Sequence, residues 1–408
     1  MNGACTRILG AGLCLIVCML ASSCGGSDLS DSGSTTPSGN NVATATVTTG
    51  PAGNSANAIF VSVTLCVPGS TTNCQTIDNV EVDTASYGLR IIGSLLTTPL
   101  PVQTLTGGGS LLECTDFVQG YAWGPVVAAD VTIAGETASS LPVQVIGSST
   151  YTTVPEDCSG LGSAENTVSD FGANGILGVG PFVQDCGQGC VQQAEPATYY
   201  VCTTTTDCVA TAVPTTAQVQ NPVASFTTDN NGVIVQMPSV VAGGAASASG
   251  YLIFGVDTET NNASNASGTE TVLTVDDNDY LSATFNGQPY SLSFIDSGSN
   301  GYYFNDSSIA VCTASGLTEF YCPASTTAYT VTLTGGNGAT ATVDFSIANA
   351  QSLFDTSTEF AALPDLGGTY PGSNTSFDLG MPFYYGRRVA TVLEGYTTTV
   401  GTGPYFAF

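Results

Sequence analysis

The sequence contains no histidine and no lysine, and its only basic side chains are Arg7, Arg90, Arg387 and Arg388. Without His, the Ser-His-Asp triad and His-ligated metal sites are excluded. Acid–base chemistry falls to carboxylates, thiols or phenols. Against four basic residues stand 32 Asp plus Glu, a formal charge of −28. Such a charge repels nucleic acid and anionic lipid headgroups, so neither is an expected partner. Paired CxxC knuckles are also missing, which disfavours a Cys-only metal site and a disulfide-exchange enzyme; no metal or cofactor is expected. Long Leu/Ala/Glu/Lys helical patterns are absent, while Gly and Thr are frequent, and this balance favours strands and turns.

The shortage of cations also bears on acid. Carboxylate protonation leaves this chain near neutrality, whereas a chain with many basic groups becomes strongly positive. Tolerance of acid is one expectation; simple solubility at neutral pH is the other.

Arg7 and the apolar run Ile8–Leu20 precede Ala21-Ser22-Ser23-Cys24 and a Gly/Ser/Thr-rich segment. The run is too short to span a bilayer comfortably. It resembles a bacterial lipoprotein signal over residues 1–24, with Cys24 as the lipidated first mature residue and Ala21 in place of the usual Leu; an ordinary cleaved signal is the alternative. The chain is thus expected to be exported, either secreted or anchored in the cell envelope at the outer membrane, touching membrane only through the lipid. Residues 25–44 read as a flexible polar tether.

Ten cysteines follow Cys24. Export makes disulfides the default. Short separations suggest Cys66–Cys74, Cys186–Cys190, Cys202–Cys208 and Cys312–Cys322, leaving Cys114–Cys158, although sequence alone does not fix connectivity.

From residue 45 short strands alternate with turns. The segment 58–65 is strand-like, Pro68-Gly69-Ser70 opens a turn, and Thr76–Val82 runs into Asp83-Thr84-Ala85-Ser86. Later, Tyr280–Phe285 and Tyr290–Ile295 flank Asn286-Gly287, a strong hairpin signal. The second of these strands runs into Asp296-Ser297-Gly298-Ser299. Each exit has an apolar residue, Asp, a hydroxyl residue, a small residue and Ser. Each is followed much later by a Leu-Gly pair, in Ile176-Leu177-Gly178 and in Phe377-Asp378-Leu379-Gly380. A lone Asp-Ser-Gly would be a turn; a four-part repeat over two halves is far more specific. The halves are taken as 45–221 and 251–408. A disulfide-rich surface insertion is placed at 183–214, an inter-lobe crossover at 222–250 and an exposed Asn-rich loop at 258–268.

This repeat resembles the pepsin-like aspartic proteases, in which each lobe carries a hydrophobic-Asp-Thr/Ser-Gly signature and a later hydrophobic-hydrophobic-Gly. From residue 45 the chain also resembles the DUF3443 family of uncharacterised bacterial exported proteins. The resemblance implies an all-β, bilobal fold, with lobes related by a pseudo-two-fold axis about a central cleft. It also implies a catalytic dyad of Asp83 and Asp296, acting in acid as a monomeric endopeptidase on extended peptides or unfolded proteins. Two carboxyls sharing one proton can supply both the base that activates water and the acid that protonates the carbonyl. Thr84 and Ser297 are expected to hold the opposite loop, and Ser86 and Ser299 to hold the outer carboxylate oxygens. The substrate-binding flap is expected at Phe117, Tyr121 and Trp123.

Three departures are visible. Ala85 stands where the family has Gly, the flap is reshaped, and no basic prosegment precedes the first strand. They suggest the alternative of a catalytically inactive lipoprotein that binds peptide or glycan or serves as an envelope scaffold. A glycosidase also uses two carboxylates but needs no such repeat.

Overall fold

A computed structural model describes residues 36–356, 359–372 and 374–408. The signal, the Cys24 lipidation site and tether residues 25–35 lie outside the described residues. Pro37–Phe408 form one compact unit.

The fold is all-β. Its first strands are β1 (Val42–Thr48), β2 (Ala58–Cys66), β3 (Cys74–Asp83) and β4 (Tyr87–Ile92), followed by β5 (Ser110–Phe117), β6 (Gly120–Ile133) and β7 (Glu136–Ile146). Strand formation follows alternation of apolar and polar residues. In Thr340–Ile347 every second side chain is buried, which is the period of a pleated strand with one face on the core. At the Asn286-Gly287 turn both residues have positive φ (50° and 76°), as a two-residue hairpin requires. It joins Leu281–Phe285 to Gln288–Ile295.

Two sheets result. The larger contains β1–β7, and β1 pairs antiparallel with Ala248–Phe254, so the chain's two halves share this sheet. The smaller holds seven strands, among them Leu281–Phe285, Gln288–Ile295 and Tyr302–Tyr303. One arrangement occurs in both sheets. Strand Gly175–Val179 lies between β3, to which it is parallel, and β4, to which it is antiparallel. Asp378–Leu379 lies in the same way between Gln288–Ile295 and Tyr302–Tyr303. The first inserted strand carries Leu177-Gly178 of the sequence repeat, and the second ends at Leu379 with Gly380 next in the chain. Glycine is needed there by close approach: a Cβ on Gly178 would meet the Tyr87 nitrogen at 2.6 Å, and one on Gly380 the Gly301 oxygen at 2.2 Å.

One apolar core runs from Ala45 to Phe406 and includes a ring cluster in which Phe304 stacks on Phe377 at 4.5 Å. Each such fully buried ring contributes roughly 1.5–3 kcal/mol. Five disulfides, Cys66–Cys74, Cys114–Cys158, Cys186–Cys190, Cys202–Cys208 and Cys312–Cys322, brace the fold. Cys114–Cys158 closes the longest loop, 44 residues, and by loop entropy contributes most, about 4 kcal/mol. Five disulfides fit an oxidising, exported environment. Among the described residues no helix is long and apolar enough to cross a membrane.

Several expected boundaries move. The tether ends earlier than residue 44, because Val42 already pairs with Ile253. The crossover 222–250 contains strand Gly232–Gln236, bonded on both sides within the larger sheet. The segment 183–214 is no mere surface insertion: Tyr199–Cys202 pairs with β5, and Tyr199 and Tyr200 are buried. Nor is the Asn-rich loop wholly exposed, since Asn262 and Ser264 are buried and Arg388 Nη1 donates to the Ala263 carbonyl.

Candidate active site

Strand β3 ends at Asp83 and strand Gln288–Ile295 leads directly into Asp296, so each carboxyl sits where a strand passes into its loop. Both border the same point beside Gly298. Their immediate supports are alike. Ala85 N–H donates to Asp83 Oδ1 (2.8 Å), and Gly298 N–H donates to Asp296 Oδ1 (2.7 Å). Ala85 has no positive φ, so its methyl group imposes no backbone penalty. Gly298 is more constrained. A Cβ there would sit 2.9 Å from Asp83 Cγ and 3.1 Å from Asp296 Oδ1.

Behind the carboxyls the loops exchange hydroxyls. Thr84 Oγ1 donates to the Ile295 carbonyl (3.1 Å) and accepts from Ser297 N–H (3.0 Å). Ser297 Oγ donates to the Val82 carbonyl (2.7 Å). Thr84 has already used its one proton, so Tyr384, at 2.7 Å, donates to it and fills its remaining lone pair. Thr84 and Ser297 are fully buried. Each net hydrogen bond contributes about 1 kcal/mol, but an orphaned buried partner would cost more, so the exchange fixes the loops against each other.

The Ser pair is not symmetric. Ser299 Oγ donates to Asp296 Oδ2 (2.7 Å). Ser86 Oγ is buried with no hydrogen-bond partner among the described residues and so does not hold Asp83 as the repeat suggested. The expected flap also differs. Trp123 is 1% exposed, donates from Nε1 to the Tyr151 carbonyl (2.9 Å) and packs edge-on against Tyr200. Tyr121 is buried in the same cluster. Both are core of their own hairpin, because Tyr199–Cys202 covers β5 and the Cys114–Cys158 bridge ties it down. Phe117 alone stays partly exposed, edge-on to Phe171.

The family described as "Protein of unknown function (DUF3443)" matches residues 37–408. The chain belongs to this family. No curated protein matches it. DUF3443 membership therefore supplies no activity, and any functional reading rests on the site itself.

Electrostatically, the site is rich in carboxyls. Burial, then the charges of Asp83 and Asp378, hold Asp296 well above the usual carboxylate range. Glu81, on the same face of β3 as Asp83, is pushed up to about 8 by burial and by Asp83. Burial also raises Asp378 and Asp279; Asp279 Oδ2 accepts from Tyr87 OH (3.1 Å). Among the described residues none of these carboxyls has a cation. Arg90 is buried with Glu113 (2.6 Å) and Asp185 (3.0 Å), Arg387 caps the Phe383 carbonyl, and Arg388 caps Ala263. Arg90 nonetheless serves the site, since its Nη1 donates to the Tyr87 carbonyl at the exit of the Asp83 loop (2.7 Å). No cluster that could hold a metal ion occurs among the described residues.

Sequence reasoning missed Glu81, Asp279, Asp378, Tyr384 and Asn57. One signal was available: Asp378 is an acidic residue between Phe377 and Leu379, next to the repeated Leu-Gly. Asn57 gave none. Its Nδ2 donates to the carbonyls of Asn300 (2.7 Å) and Leu363 (2.8 Å), and its Oδ1 accepts from Leu363 N–H and Tyr385 OH.

Proposed function

We propose that this chain is an exported aspartic endopeptidase of pepsin-like build, hydrolysing extended peptides in acid through a water activated by Asp83 and Asp296. The observation that carries the reading is the approach of the two carboxyls to one point beside Gly298, each receiving the N–H two residues on. Like charges so close cannot both ionise cheaply, so the pair retains one proton over a wide pH range. In that state one carboxyl takes a proton from water while the other gives one to the scissile carbonyl, with no metal or covalent intermediate. The repeated three-strand arrangement and the hydroxyl exchange support the pepsin-like build. Lipidation at Cys24 would place the enzyme on the envelope surface, with no partner beyond its peptide substrate.

A second reading, a non-catalytic descendant that binds peptide or glycan, is favoured by the unpartnered Ser86 hydroxyl and by the burial of Tyr121 and Trp123.

The experiment is digestion of an unfolded-peptide library from pH 2 to pH 7, from about two units below ordinary carboxylate titration to about three above it, beside the Asp83→Asn, Asp296→Asn double variant. Cleavage in acid that disappears in the variant is the expected result. Folded, oxidised protein that cleaves nothing variant-sensitive would replace this reading with the binding one.

A further inference from the structure

The three-strand arrangement occurs twice, so each half has an equivalent position two residues before its aspartate: Glu81 in one, Phe294 in the other. On β3, Val80 and Val82 are fully buried in the apolar core, which turns Glu81 to the same face as Asp83, about 6–7 Å further back along the strand. On strand Gln288–Ile295, Ile295 is likewise in the core, and Phe294 lies on the face that continues to Asp296. Both side chains are partly exposed. Their surroundings differ. Glu81 is flanked on its face by Phe60 and Ile176, the residues paired with it on the two adjoining strands. Phe171 packs on Phe60, and Phe117 stands edge-on to Phe171. The Glu81 carboxyl has no hydrogen bond and no ion pair among the described residues. Phe294 instead joins Tyr280 at 6.3 Å and Tyr370 at 6.1 Å, both also partly exposed. One side of the dyad therefore offers a lone carboxyl in an apolar surround, and the other an aromatic wall.

We propose that Glu81 sets substrate choice by pairing with a lysine or arginine side chain on one side of the scissile bond, while Phe294, with Tyr280 and Tyr370, takes an apolar side chain on the other. Assignment of the two side chains to a scissile bond rests on the proposed protease reading; recognition of the cation by Glu81 does not. A carboxylate in an apolar surround is costly without a cation. Among the described residues none is free to serve, because Arg90, Arg387 and Arg388 are all bonded elsewhere. A ligand can supply one. Its apolar stem would lie along Phe60 and Ile176 while its head meets the carboxylate. The charged groups on this face are carboxyls: Asp83 from the same strand and Asp296 from the other loop, beside Gly298. Phe60 and Ile176, from the strands on either side, carry no charge. In the empty site burial and Asp83 push the Glu81 carboxyl up to about 8. A bound cation favours loss of that proton to solvent, so selectivity for basic side chains strengthens as pH rises from acid towards neutrality.

The test uses extended peptides that are identical but for lysine against norleucine, an uncharged side chain of similar shape, at one central position. The first readout is cleavage at the highest pH that still supports it. Wild type should favour the lysine peptide in kcat/KM by about tenfold or more, and Glu81→Gln, which keeps the size of the side chain, should bring the ratio to about one. Phe294→Ala should relax the apolar preference across the cut bond and leave the lysine ratio in place. A wild-type ratio near one, or a ratio that survives Glu81→Gln, overturns the assignment and leaves the protease standing. The second readout is binding of the same peptides, uncut, by the Asp83→Asn, Asp296→Asn double variant at about pH 7. The lysine peptide should bind about tenfold tighter than the norleucine peptide, and the difference should vanish when Glu81→Gln is added. That result from a protein whose wild type cleaves nothing would retain recognition of the cation and discard the protease. Equal binding of the two peptides overturns the assignment whether or not the protein cleaves.

Discussion

Glu81 allows the electrostatics of the site to be weighed by stability alone. Its carboxyl is raised from 4.5 to about 8, by burial first and by Asp83 second. Below pH 4.5 folded and unfolded chains both hold the proton, and above about 8 neither does. Between these limits the folded protein holds a proton that the unfolded chain has released, so stability falls as pH rises through this window. At full strength that span corresponds to about 5 kcal/mol; the side chain is partly open to solvent, and about 2–4 kcal/mol is expected to survive. Asp279, Asp296, Asp378 and Asp185, also raised by burial, act in the same direction. Asp257, Glu270 and Asp306 act in the opposite direction. Hydrogen bonds hold them below the usual range despite burial, so their contribution is lost as pH falls through the carboxylate range. The fold should therefore be most stable in mild acid and weaken towards neutrality.

The perturbation is Glu81→Gln, which copies the protonated side chain at every pH. Urea unfolding should show the variant close to wild type near pH 4.5 and about 2–4 kcal/mol more stable near pH 8. For a compact unit of this size that is roughly 3–5 °C in Tm. A wild-type stability that rises from mild acid to pH 8, or a Glu81→Gln effect equal at both pH values, would refute the reasoning.

Gly298→Ala should lower kcat/KM by about 100-fold or more, because its methyl group displaces Asp83; Ala85→Gly, which keeps the same N–H, should change it by less than about tenfold. Equal effects in peptide-cleavage assays would contradict the asymmetry. Arg90→Leu should cost about 3–5 kcal/mol in urea unfolding at pH 7, since Glu113 and Asp185 lose their only cation. Asn57→Ala should cost about 2–4 kcal/mol by the same assay, because it orphans the groups its side chain satisfies and leaves Ala at φ 56°.

The strands ending at Asp83 and Asp296 were legible because the same residue pattern occurs twice, and the hairpin at Asn286-Gly287 because its turn chemistry is local. Trp123 was not legible. Its burial depends on Tyr200, which comes from a Thr- and Cys-rich segment that reads as surface text, yet lends a strand to β5. Arg90 has two carboxylates from distant segments, and no local pattern announces them.

Asp378 shows the limit most clearly. In sequence it is a polar interruption before Leu-Gly. Its burial arises only when it enters the strand held between Phe294 and Tyr303. Repeats and turns are short-range signals, so they expose the scaffold and the two aspartates. Proton affinity at those aspartates depends on which other carboxyls long-range pairing brings near and on the absence of a cation among them. Two chains could share the repeat and differ in working pH through single residues such as Glu81 and Asp378. Substitution at those two positions should therefore retune the pH response while the hydroxyl exchange of Thr84 and Ser297 keeps the scaffold unchanged.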